Sequence, residues 1–188
     1  CIRRKTMPTV NDPDGTPQRV NAEGRALTYS VIEGEGLHVN EDEAEAYTVM
    51  VDVTPATTDD DFFYLKNTST EKLIISKIEG WCADANQEIS VYLGGTDAGT
   101  DAGDDLVPAN LNAGSGNAAD VDCTQDATDL AISGGRVVRL LKFPPVALTR
   151  EIFDFESTGL ILPKNQRLHL QAALAGLINL NITFYFHS

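Results

Sequence analysis

The chain has 188 residues and a formal net charge of −14, from 14 basic and 28 acidic groups. Its apolar content of 42% suffices for the core of one domain or two small ones, and no apolar run nears the roughly 20 residues of a membrane helix. An exterior this acidic repels nucleic acid and anionic membranes, so neither is expected as a partner.

Residues 1–25 hold five basic and three acidic groups, together with Pro8, Pro13 and Pro17. Prolines at that spacing exclude a helix, and the segment reads as an extended N-terminal arm. The start, CIRRKTMPTV, has no apolar stretch of the kind a secretory signal carries. From residue 26 onward the expectation is a single domain, 26–188. LTYSVI at 27–32 is a candidate strand, and the acidic stretch after it reads as a loop. Tyr47, Val49, Val51 and Val53 alternate with Thr48, Met50 and Asp52, which is the period of a half-buried strand. EDEAEAYTVM, 41–50, is the best helical competitor. After a turn at PATTDDD, the run FFYLKNTSTEKLIISKIEGW reads as a hairpin, with strands at 62–66 and 72–80 and a polar turn at NTST. EISVYLG, 88–94, is the next strand.

Residues 95–129 then change character to Gly, Ala, Asp, Asn and Thr. Poor in large apolar groups, they read as a long acidic loop over the surface. RVVRLLKF at 136–143 is a strand stopped by Pro144 and Pro145. EIFDFES at 151–157 alternates again. Near the C-terminus, Leu168, Leu170, Ala172 and Leu174 alternate with Arg167, His169 and Gln171. Ile178, Leu180, Ile182, Phe184 and Phe186 then alternate with Asn179, Asn181, Thr183, Tyr185 and His187. About eight strands and no convincing helix predict an all-β fold, a jelly-roll-like β-sandwich.

Few residues carry recognisable chemistry. Asp97, Asp101, Asp104 and Asp105 cluster among glycines and are a weak candidate for Ca²⁺, without the spacing of a known calcium loop. A solvated loop is the simpler reading, so no cofactor is expected. Asp59, Asp60 and Asp61 read as an acidic gatekeeper before an apolar strand. His38, His169 and His187 read as surface histidines. Glu151, Asp154 and Glu156 offer carboxylates for glycoside hydrolysis, but a charged surface face is the stronger reading. Trp81 and Tyr92 suggest a sugar-stacking platform or, more simply, core and rim. Asn67-Thr68-Ser69 and Asn181-Ile182-Thr183 match the glycosylation sequon. Cys1, Cys82 and Cys123 form no metal motif; the last two are either bridged or buried free thiols. No nucleophile elbow, phosphate loop or dinucleotide fingerprint occurs, so no enzymatic activity is expected.

Two segments carry a resemblance. FFYLKNTSTEKLIISKIEGW, with YLKNTS between two strands, and GLILPKNQRLHLQAALAGLINLNITFYFH, with LPKNQ leading a strand and an aromatic-rich last strand, are similar to the decoration (cement) proteins of tailed-bacteriophage capsids. The likeness covers about a third of the chain. It implies a structural virion protein on the outer capsid surface that stabilises the shell, with the major capsid protein as partner and a homotrimer as the assembled state. The cations of the arm, Arg3, Arg4, Lys5 and Arg19, are then the expected partner contacts. A carbohydrate-binding or receptor-binding module is the alternative reading of the same sequence.

Overall fold

The computed structural model describes residues 10–11, 17–18, 39–40, 43–98, 103–155 and 159–187. The chain divides into two units, Cys1–Glu33 and Gly34–Ser188. In the first, β1 (Val10–Asn11) pairs antiparallel with β2 (Pro17–Gln18). The strand expected at 27–32, and most of the arm, lie outside the described residues.

The second unit is a sandwich. Its strands are β3 (Ala46–Val53), β4 (Asp60–Asn67), β5 (Lys72–Cys82), β6 (Glu88–Leu93), β7 (Asp104–Asp105), β8 (Ala109–Asn110), β9 (Val121–Gln125), β10 (Arg136–Lys142), β11 (Glu151–Asp154), β12 (Leu160–Leu162), β13 (Arg167–Ala172) and β14 (Ile178–His187). One sheet has the order β10-β6-β13-β4-β9-β7. The other has the order β11-β5-β14-β3-β8, with β12 continuing along β5 beyond β11. All pairings are antiparallel. Eight main strands emerge when β11 and β12 are taken as one interrupted strand. They pair as nested brackets: β3 with β14, β4 with β13, β5 with β11 and β12, and β6 with β10. A long hairpin rolled up in that way is a jelly roll, so the fold read from strand count holds.

The period-two pattern drives it. Val49, Val51, Ile75, Ile78, Leu180, Ile182 and Phe184 of one sheet are buried against Phe63, Leu65, Ile89, Val91, Leu168 and Leu170 of the other. Each such side chain contributes about 1.5–3 kcal/mol when fully buried. Tyr47, Phe184 and Phe186 add ring contacts, with centroids of Tyr47 and Phe184 5.7 Å apart.

Four local expectations change. First, β4 and β5 are not a hairpin. The Asn67–Glu71 corner carries the chain from one sheet to the other, so β4 pairs with β13 and β9 while β5 pairs with β14, β11 and β12. A corner and a hairpin turn share the same polar residues, and only the partner strands tell them apart. Second, β13 and β14 also belong to opposite sheets, where each is central. Third, segment 95–129 is more than a surface excursion: β7 and β9 extend one sheet past β4, and β8 extends the other past β3. Cys123 and Thr124 of β9 are buried. Fourth, the helical competitor at 41–50 gives way to β3. A single helical turn precedes it, with the Glu43 N–H donating to the Val39 carbonyl at 3.0 Å.

Candidate functional site

The outer face of the β6–β13–β4 sheet is not wet. Residues 94–98 and 129–135 lie over it as a roof. They are tied to each other by Thr96 N–H to the Ser133 carbonyl (2.9 Å) and Ser133 N–H to Thr96 Oγ1 (3.1 Å). The Leu130 N–H donates to the Asp61 carbonyl, which fastens the roof to β4. Leu130, Ile132 and Ala98 pack on Tyr64. His169, expected at the surface, is buried. It is stacked on Tyr92, with centroids 4.5 Å apart and planes 10° apart. Gly95 (φ +99°) and Gly135 (φ +88°) let the roof approach this closely, because a Cβ at either position would stand 3.3 or 3.2 Å from His169 Cε1. Both positive φ angles are also ones that glycine adopts without strain.

Asp60 and Asp61 are not exposed gatekeepers either; both start β4 and are buried. Asp60 closes the preceding turn, accepting from Thr57 N–H at 2.7 Å and from Thr57 Oγ1 at 2.6 Å. Asp61 Oδ1 stands 3.7 Å from His169 Nε2, beyond hydrogen-bond length, and neither Asp61 Oδ1 nor His169 Nδ1 has a hydrogen-bond partner. Burial, and then the charge of Asp129, push the Asp61 carboxyl up to about 6. Burial pushes the His169 imidazole down, with the Gly94 backbone opposing.

Beside this pair lies a charged hub. Asp97 Oδ1 accepts from Tyr64 Oη (2.6 Å) and Arg167 Nε (2.7 Å), and pairs with Lys66 Nζ (3.0 Å). Arg167 Nη1 also donates to the Gly95 carbonyl at 2.9 Å. Arg167, then Tyr64 and Lys66, hold the Asp97 carboxyl well below the usual carboxylate range. Asp97 thus pins the roof to β4 and β13. Asp104 and Asp105 stand elsewhere, on the terminal strand β7, and Asp101 lies outside the described residues. Asp104 shares a concavity of about 240 Å³ with Asp52, Gln125 and Asp126. Among the described residues, no three His, Cys, Asp or Glu side chains are grouped as a metal site.

Trp81 and Tyr92 project from the outer faces of different sheets, since β5 and β6 belong to opposite layers and Cys82 and Val91 are the inward neighbours. They make no joint platform. Cys82 and Cys123 are buried free thiols, and burial pushes the Cys82 thiol up to about 12. Asp154 lies opposite Lys77 in the β11–β5 ladder. Glu156, His38, Arg3, Arg4, Lys5 and Arg19 lie outside the described residues, and His187 ends β14 on the exposed side.

The two segments that carry the decoration-protein resemblance meet at one residue. Asn67 is fully buried. Its Nδ2 donates to the Glu71 and Leu162 carbonyls, both at 2.7 Å, and its Oδ1 accepts from Ser69 N–H at 2.9 Å. Its backbone pairs with the Gln166 carbonyl and the Asn165 N–H. YLKNTS and LPKNQ therefore form one end of the sandwich, and the first sequon is a structural corner rather than a free acceptor. Sequence reasoning had no signal for this node, because the partners are 95 residues apart.

Charge separates across the sandwich. One side consists of β10, β11 and the connection between them; residues 136–154 carry four cations and two acids. The other side consists of β7, β8 and β9; residues 103–126 carry five aspartates and no cation.

No protein-family model matches the chain, and no curated protein matches it. A crystal structure of tomato aspermy virus is similar over 87% of this chain and 84% of that chain, at 13% identity and a TM-score of 0.29. The jelly-roll assignment rests on strand order and register instead.

Proposed function

We propose that this chain is a structural virion protein that binds the outer surface of a phage capsid and stabilises the shell. The observation that carries the reading is the Asn67 node. The residues that resemble decoration proteins join two sheets into a jelly roll, and this purely structural use of them supports the reading. The Asp97 hub supports the same reading, because it ties Tyr64, Lys66 and Arg167 together and stiffens a surface. The arm cations Arg3, Arg4, Lys5 and Arg19 contact the major capsid protein or a sister subunit, and the assembled state is a homotrimer. Binding only the assembled lattice stabilises that lattice by mass action.

The test is co-sedimentation with shells, assembled without this chain, of the virus that encodes it. The full chain is expected to pellet with them and to raise their melting temperature. A truncation lacking residues 1–20 leaves β3–β14 untouched and is expected to stay folded while binding weakly. Failure of the full chain to pellet removes the virion reading. A truncation that binds like the full chain removes the arm's role only. Specific signals on a glycan array would move the function to a carbohydrate-binding module.

A further inference from the structure

The two sides of the sandwich have opposite chemistry and cannot reach each other within one molecule. β10 and β7 are the terminal strands of a six-stranded sheet, which separates them by about 24 Å at the usual strand spacing. The β10 side is a sticky edge. Phe143 meets Phe153 with centroids 5.4 Å apart, and Arg139 stands 5.7 Å from the Phe155 ring centroid, so β10 and β11 belong to one surface. Six of the large apolar side chains that stay exposed come from this stretch alone: Val137, Val138, Leu140, Val146, Leu148 and Ile152. Lys142 and Arg150 pair with Glu88 and Glu79 on the neighbouring strands, while Arg136 and Arg139 flank Val137 and Val138. A terminal strand also offers an unpaired row of backbone donors and acceptors. β10 has seven residues, of which only Leu141 is buried, and its ladder to β6 shifts register between Val137 and Arg139.

The opposite side is its complement. β7 and β8 have two residues each. β9 is linked to β3 by the Asp52 N–H donating to Gln125 Oε1 at 3.0 Å, so these strands too form one surface. Val107, at 88% exposure, and Leu111 stand among the aspartates.

We infer that the β10–β11 edge of one copy docks on the β7–β9 edge of a second copy, head to tail. Charge selects the occupant: residues 136–154 of one copy carry four cations against two acids, and residues 103–126 of another carry five aspartates and no cation. Such an interface joins two different patches, so it propagates and closes into a ring when the rotation per subunit allows. It supplies the subunit contacts of the proposed homotrimer but does not depend on any capsid.

The experiment is a charge swap in the full chain, read by size-exclusion chromatography with light scattering. R136E/V138E makes both edges acidic and leaves Arg139 on Phe155. D104K/D105K leaves three aspartates against two lysines in residues 103–126, so the β7–β9 edge loses most of its negative charge. Thermal melts accompany each to verify folding. Wild type is expected to be oligomeric and to weaken in high salt. Each variant alone is expected to lose association by about tenfold or more in dissociation constant. An equal mixture of the two is expected to recover pairwise association, since the unaltered β7–β9 edge of one variant then meets the unaltered β10–β11 edge of the other. Monomeric wild type overturns the inference, as does a mixture that stays monomeric. Normal assembly of D104K/D105K alone also overturns it, by indicating a symmetric β10–β10 contact. None of these results bears on shell binding, so the virion reading fails or stands separately.

Discussion

Among the described residues, the outer face of the β5–β14–β3 sheet is covered only at one end, where Val39 packs on Tyr185, whereas that of the β6–β13–β4 sheet lies under a roof. The open face carries Asn179, Asn181 and Thr183 on β14, half-buried beside Met50, Lys77 and Glu79. The roofed face carries Asp61, Tyr64 and His169, all buried, in equivalent outward positions. Both strands alternate apolar and polar residues. What differs is the second layer of backbone laid over one of them, and with it the cost of every polar group beneath. A buried polar atom without a partner costs about 1–3 kcal/mol, and the roofed face holds two of them.

The largest contrast is expected from truncating one side chain on the roofed face. Tyr64→Ala removes a fully buried ring, one donor to Asp97 and the apolar seat of Leu130 and Ile132. It is expected to lower stability by about 3–5 kcal/mol, read as a shift of the urea midpoint. A loss below about 1 kcal/mol would mean the roof is not packed on Tyr64.

Acidity offers the second contrast. The Asp61 carboxyl is raised in the folded state, so the stability linked to it is fully present below its unfolded value. That stability is lost as pH rises through about 6. Asp61→Asn removes this dependence. Relative to wild type, the variant is expected to gain on the order of 2–3 kcal/mol between pH 4 and pH 7, with no further change above pH 7. Urea midpoints of both proteins across that range check it, and a constant gap would show that Asp61 is solvated. The overall charge of −14 changes both proteins nearly alike and drops out of the difference.

The smallest effect belongs to the open face. Asn181→Ala changes a half-buried side chain there and is expected to stay within about 0.5 kcal/mol of wild type, by the same midpoint measurement. A loss comparable to Tyr64→Ala would show that this face is covered as well.

Much of the strand content was legible in advance. β3, β6, β13 and β14 fall where Tyr47–Val53, the EISVYLG run, Leu168–Ala172 and Ile178–His187 alternate. The eight-strand jelly roll follows from their number and spacing. Less legible was which strand pairs with which. The NTST corner resembles a hairpin turn because Asn, Thr and Ser satisfy backbone groups equally in both. His169 and Asp61 were misplaced for another reason: polar residues opposite a core face are normally solvated, and nothing near them announces the loops at 94–98 and 129–135. Those loops are glycine-rich, with Leu130 and Ile132 as their large apolar groups, and the glycines let them approach His169.

The sequence by itself determined the β-strands, the inward faces and the charge imbalance between residues 26–135 and 136–188, because each depends on local periodicity or simple counting. Only the tertiary structure decided that residues 103–126 and 136–154 lie at opposite edges of one sandwich, that Asn67 joins two distant segments, and that one polar face is buried. Those features depend on contacts between residues far apart in the chain, and no local pattern encodes a partner.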